Sequence, residues 1–230
     1  MSARLHHKVR AVIRKSSSLM LLACFLAGPV YALENSEPVS TMDTLTAYSE
    51  GLEGMRARFQ QVVISQDGEL LDQGSGEFWL QSPDRFRWFY EGDFPELIVA
   101  DGRHVWIYDE SLEQVTVREQ EGAAGDSPLL LITNPAGLDD DYQVTELGTL
   151  DGKQMLQLKA RDADAPFERL LLSFLGGQLQ GLILEDSFGL RTEMTFFEVE
   201  RNPAIPPGHF TFTPPAGVDL LGDVPPGLQR

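Results

Sequence analysis

Cysteine occurs once in this 230-residue chain, at Cys24, and histidine four times. Lysine and arginine number 18 against 35 aspartates and glutamates, a net charge of −17. A single cysteine excludes an internal disulfide and a cysteine-built metal site. The shortage of cations argues against nucleic acid, whose phosphates must be neutralised by surplus Lys and Arg. It argues equally against electrostatic docking on anionic lipid. Catalytic signatures are missing too. Gly74-Ser75-Gly76 is too short for a nucleophile elbow and lies in a strand-like run. Asp139-Asp140-Asp141 lacks the alternating spacing and glycine of a calcium loop and reads as a solvated loop. No glycine motif that would cradle a phosphate occurs, and no cofactor or metal is expected.

What is present begins with an export signal over residues 1–32. Arg4, Lys8, Arg10, Arg14 and Lys15 form a basic region, residues 19–28 a short apolar run, and Val30-Tyr31-Ala32 a small-residue cleavage pattern. The run is shorter than the roughly 20 apolar residues of a membrane span, and no later segment reaches that length. Leu21-Leu22-Ala23-Cys24 loosely resembles a lipoprotein processing site, but the apolar run continues through Phe25 and Leu26, which places Cys24 inside it. Cleavage after Ala32 leaves residues 33–230 as one soluble domain, with 13 basic and 35 acidic residues, a net −22. The only histidines left are His104 and His209, each read as a solvent-exposed turn residue beside a glycine bend.

Residues 33–39 read as a leader. Ser40-Thr41-Met42-Asp43 caps a helix with Met42, Leu45, Tyr48, Leu52 and Met55 at helical spacing. From residue 56 the hydrophobic period switches to two. Strands are expected at 56–65, 69–81, 84–91, 95–101, 104–110, 113–120, 142–148, 153–161, 167–175, 178–185 and 190–200. Asp67-Gly68, Asp101-Gly102, Asp151-Gly152 and Gly176-Gly177 supply hairpin turns. About eleven strands joined this way form an antiparallel meander, a mainly β (α+β) chain. Between its halves, residues 122–126 read as a loose loop. Ser127-Pro128 then opens a short helix that is apolar all round at Leu129, Leu130, Leu131 and Ile132 and that Pro135 stops. Residues 202–230 form a Pro/Gly-rich tail in which Phe210-Thr211-Phe212-Thr213 could add a last strand.

The stretch richest in information runs from Gly76 to Trp88. Phe86, Trp88 and Tyr90 share one strand face, and Arg85 and Arg87 the other. Rings in a strand are ordinarily core, and the other reading is the wall of an apolar cavity. The number of strands exceeds what two small helices cover, and the apolar turn at 129–132 sits mid-meander where a lid would lie.

Several motifs in order resemble one family. They are Arg58-Phe59-Gln60-Gln61, Gly74-x-Gly76-x-Phe78-Trp79-Leu80, and Pro83-Asp84-Arg85-Phe86-Arg87-Trp88. Then come Val99-Ala100-Asp101-Gly102-x-x-Val105-Trp106-Ile107-Tyr108-Asp109, Glu113-Gln114-Val115, Ser127-Pro128-Leu129-Leu130-Leu131-Ile132, and His209-Phe210-Thr211-Phe212-Thr213-Pro214-Pro215-x-Gly217-Val218. This pattern resembles the periplasmic outer-membrane lipoprotein carriers, LolA. The resemblance implies an unclosed antiparallel β-barrel with a helical lid, made of the N-terminal helix and short central helices, over an apolar cavity. It implies a monomeric periplasmic chaperone that takes triacylated lipoproteins from an inner-membrane ABC-type releasing complex to an outer-membrane LolB-like acceptor. Phe59, Phe86, Trp88, Leu129, Leu130, Leu131 and Ile132 would line the cavity. Better-known members carry Arg just before the Pro of the Pro-Asp turn, bonded to the lid. Here that latch position is Ser82, whose hydroxyl is too short to span the same gap. A lipid sensor on the same half-barrel would be expected to carry a second domain. An esterase would need a base beside a nucleophile, which neither histidine offers in sequence.

Overall fold

The computed structural model describes residues 40–120 and 127–228. The export signal, Cys24, the leader and the 122–126 loop lie outside the described residues. From residue 54 the period-two pattern becomes a single twelve-stranded sheet, in the order β12-β6-β5-β4-β3-β2-β1-β11-β10-β9-β8-β7. The strands are β1 (Gly54–Ile64), β2 (Leu70–Gln81), β3 (Arg85–Glu91), β4 (Glu96–Ala100), β5 (His104–Asp109), β6 (Gln114–Glu119), β7 (Tyr142–Leu150), β8 (Lys153–Ala160), β9 (Arg169–Leu175), β10 (Gln178–Glu185), β11 (Arg191–Arg201) and β12 (Asp219–Gly222). Two meanders, β1 to β6 and β7 to β11, are joined by the antiparallel β1–β11 ladder, which runs from Met55↔Arg201 to Ile64↔Arg191. β7 and β12 are the two free edges, so the barrel is not closed.

The eleven expected strands are all present, with ends shifted by a few residues. The tail differs. Residues 211–213 join no ladder. Their alternation reflects packing instead: Phe210 is buried, and the Phe212 ring lies 5.7 Å from Trp106 and 5.9 Å from Tyr108. The tail crosses that face of the sheet and then supplies β12, which pairs in parallel with β6. A Cβ at Gly222 would sit 2.2 Å from the Val117 carbonyl oxygen, so this approach requires glycine.

Helix α1 (Thr41–Ser49) starts at Ser40, whose Oγ accepts a hydrogen bond from the Asp43 N–H at 3.2 Å. Glu146 on β7 completes the cap, accepting from the Thr41 and Met42 N–H groups at 3.0 and 3.3 Å and from the Ser40 hydroxyl. These bonds, led by the one from Ser40, hold the Glu146 carboxyl below the usual glutamate range, and a carboxylate there also complements the helix dipole. The expected central helix is a 3₁₀ turn, Pro128–Thr133, which stacks Leu129 over Ile132. It has proline at its start as expected, but Ser127 makes no capping bond. A second 3₁₀ turn (Pro135–Gly137) and the one-turn α2 (Leu138–Asp141) follow. The three aspartates are exposed, as expected, but they belong to α2 rather than to a loop. Among the described residues no helix is long and apolar enough to cross a membrane.

The two faces of the sheet carry separate apolar clusters. The inner face packs α1, the 3₁₀ lid and α2 against residues of both meanders. The outer face holds a smaller cluster around Val99, Trp106, Val115 and Val117, covered by Phe212, Val218 and Leu220 of the tail.

Candidate functional site

Strand alternation places Phe86, Trp88 and Tyr90 of β3 on the inner face and leaves Arg85 and Glu91 exposed. Trp88 is the hub of this group. Phe59 of β1 meets it edge-on at 4.9 Å and meets Tyr90 at 5.1 Å. The Phe78 ring of β2 lies 4.1 Å from it. Gly76 makes the crowding possible, since a Cβ there would come within 1.8 Å of the Phe89 carbonyl oxygen and 3.1 Å of the Phe59 ring.

Leu129, Leu130 and Ile132 are buried in the same apolar cluster. Leu131 is half-buried and packs at its edge. All seven expected lining residues are therefore brought together, six buried and one at the margin. In this state their side chains are packed on one another. A cleft of about 300 Å³ opens beside the lid, lined by Ser82, Pro83, Leu130, Leu131, Asn134 and Leu138 among others. Ser82 thus stands at the lid margin; its N–H donates to the Glu53 carbonyl oxygen at 3.0 Å.

Most of this cluster lies outside the seven expected lining residues. Leu156, Leu158, Leu170, Leu172 and Phe174 from the second meander are fully buried in it, with Leu45 and Tyr48 of α1. Their period-two spacing was visible, but which face of which meander they would meet is set by the β1–β11 seam.

The tyrosine hydroxyls at the edge of the cluster are held in their protonated form. Burial pushes the Tyr48 phenol up to about 12; its hydroxyl lies 3.1 Å from the Met55 sulfur and the Arg201 guanidinium over its ring. Burial, with Glu96 and Asp72 adding to it, pushes Tyr90 up to about 12, and its hydroxyl donates to Gln61 Oε1 at 3.1 Å. The buried Ser127 hydroxyl has no hydrogen-bond partner among the described residues.

Neither histidine is the exposed turn residue that its sequence context suggests. The His104 side chain is only 16% exposed, with Nδ1 3.8 Å from an Asp101 oxygen. His209 packs at a tilt of 60° on Trp79, 4.4 Å between ring centres, on the outer face, and its Nε2 is buried without a partner among the described residues. Among the described residues no three His, Cys, Asp or Glu are placed to hold a metal ion.

Residues 50–213 match the family model "Outer membrane lipoprotein carrier protein LolA", a span that takes in β1 to β11, the aromatic hub and the lid. The chain belongs to the LolA family. Among LolA relatives, the outer-membrane lipoprotein carrier protein of Dechloromonas aromatica (strain RCB) is 35% identical over 205 residues, covering 89% of this chain and 96% of that protein. That of Xanthomonas oryzae pv. oryzae (strain MAFF 311018) is 40% identical over 181 residues, covering 78% and 87%. The fold is also similar to a solved structure, an uncharacterized conserved protein from Thermus thermophilus. It is 12% identical with a TM-score of 0.50, and the match covers 79% of this chain and 98% of that one.

Proposed function

We propose that this LolA-family chain is a periplasmic carrier, which shields lipoprotein acyl chains between an inner-membrane ABC-type releasing complex and an outer-membrane acceptor. Each acyl CH₂ left in water costs about 0.8 kcal/mol. A chain of ordinary length therefore costs on the order of 10 kcal/mol to expose, which keeps a free triacylated protein in its membrane or drives it to aggregate. A carrier must replace that water with apolar surface and still let go.

The observation that carries the reading is the shared burial of Leu129, Leu130 and Ile132 with Phe59, Phe86 and Trp88. Acyl chains would enter by lifting the lid and taking its place on the aromatic hub. Two features keep closure from being too favourable. The lid is a six-residue 3₁₀ helix without a side-chain cap. Closure also buries the Ser127 hydroxyl without a partner among the described residues, a cost of about 1–3 kcal/mol that opening to water would relieve.

Phe86→Glu tests the reading. A carboxylate at the hub should abolish loading, because no partner there offsets its burial. Native mass spectrometry of the protein drawn from the periplasm should show acylated cargo on the wild type and none on the variant, with the circular dichroism of the fold retained. Equal cargo on both would overturn it.

A further inference from the structure

Because β1, β3, β5 and β10 run in one direction, the turns at residues 65–69, 92–95, 110–113 and 186–190 share one end of the sheet. Each turn, or the residue just past it, presents a large apolar side chain to water. Phe188 is 84% exposed, Phe94 80% and Leu112 66%; Leu70 and Leu71 are more than half exposed. Turn bonds hold several of these tips in place. The Asp186 carboxylate accepts from the Phe188 and Leu190 N–H groups, both at 2.9 Å. Asp109 accepts from the Leu112 N–H at 2.9 Å. Neighbouring tips also touch: the Glu110 N–H donates to the Pro95 carbonyl oxygen at 3.3 Å, and Gly189 packs on the Gln66 side chain.

The tips are predominantly acidic, although Arg191 closes the 186–190 turn and Glu91 and Glu185 are paired with Arg58 and Arg169. Residues 67–72, 91–96, 109–113 and 185–188 hold three, three, three and two carboxylates and no lysine or arginine. Asp93 precedes Phe94, Glu110 and Glu113 bracket Leu112, and Glu69 and Asp72 bracket Leu70 and Leu71. Apolar tips seated in a lipid interface are ordinarily flanked by cations that meet the head groups. Here the flanks carry mostly carboxylates, which anionic lipid would repel.

We propose that this end of the sheet is a docking surface for a protein partner that presents apolar pockets bordered by lysine and arginine. Exposed aromatics held on ordered turns supply anchors of the kind that dominate protein interfaces. The surrounding carboxylates steer a basic partner and reject acidic surfaces. The identity of the partner rests on the carrier reading: it is a protein that gives or receives the cargo.

The test measures binding of the full-length processed chain to the purified releasing complex and to the acceptor stripped of its own acyl anchor. Phe94→Ser with Phe188→Ser should weaken binding to at least one of them by about tenfold or more. Raising salt should weaken the wild type, and Asp93→Asn with Asp186→Asn should flatten that dependence. Wild-type affinity of the Phe94/Phe188 variant for both partners would overturn the proposal. So would cosedimentation of the wild type, but not that variant, with phosphatidylethanolamine–phosphatidylglycerol vesicles. Cargo on the same variant is read by native mass spectrometry. The rim variant should retain what the wild type retains, so a wild type without acylated cargo would remove the carrier reading while the binding comparison still decides the docking surface.

Discussion

At the scale of single residues, His209 and Ser82 set the most specific expectations. The His209 ring is pressed between Trp79 and Phe210. Burial first, and then the Arg87 cation, hold it below the ordinary histidine range, with Glu77 opposing. Arg56 lies over the Trp79 ring. Above about pH 6.5 neither folded nor unfolded chain protonates this ring. Below that value the unfolded chain takes up a proton that the folded site resists, so stability falls as pH drops toward the folded pKa. His209→Phe should flatten this slope between neutral pH and the onset of carboxylate titration. Urea unfolding at a series of pH values reads it, and parallel curves for the two proteins would refute it. Ser82→Arg would place a long cation at the lid margin, beside Leu130, Leu131 and Asn134. It should slow release to the acceptor and slow hydrogen exchange of the lid amides; no change in either would count against a latch role for this position.

At the scale of elements, α1 depends on one carboxylate supplied from another strand. Glu146→Ala removes three acceptor contacts from the start of the helix and should cost about 1 kcal/mol. It should also speed exchange of the first-turn amides. Because the pairing lowers the Glu146 pKa, its contribution is present above the unfolded glutamate pKa and is lost as pH falls through the folded one. The variant should therefore match the wild type in acid and fall behind near neutrality. None of this was legible in the sequence, where Ser40 and Asp43 looked sufficient to start the helix. The strands were legible because Asp-Gly and Gly-Gly turns punctuate a strict alternation. β12 was not, because Asp219–Gly222 is four residues long and its partner β6 lies about a hundred residues earlier. The alternating rings of Phe210 and Phe212 looked like a strand because docking on a sheet face uses the same spacing as joining its edge.

At the scale of the whole molecule, Phe86 and Trp88 could be assigned to one face from their own strand alone. What they would meet could not, since the second meander reaches them only through the β1–β11 seam. That seam also fixes the order in which the protein can form. Every other antiparallel ladder joins strands adjacent in sequence and closes early, whereas Met55 must wait for Arg201 and Ile64 for Arg191. Contacts of such separation form slowly. While the chain is being made, the far edge of β1, with Phe59 on it, has no strand beside it, and an unpaired edge next to apolar side chains is where chains mispair and aggregate. Substitutions that weaken β11 should therefore act first on yield and only later on the properties of whatever protein survives.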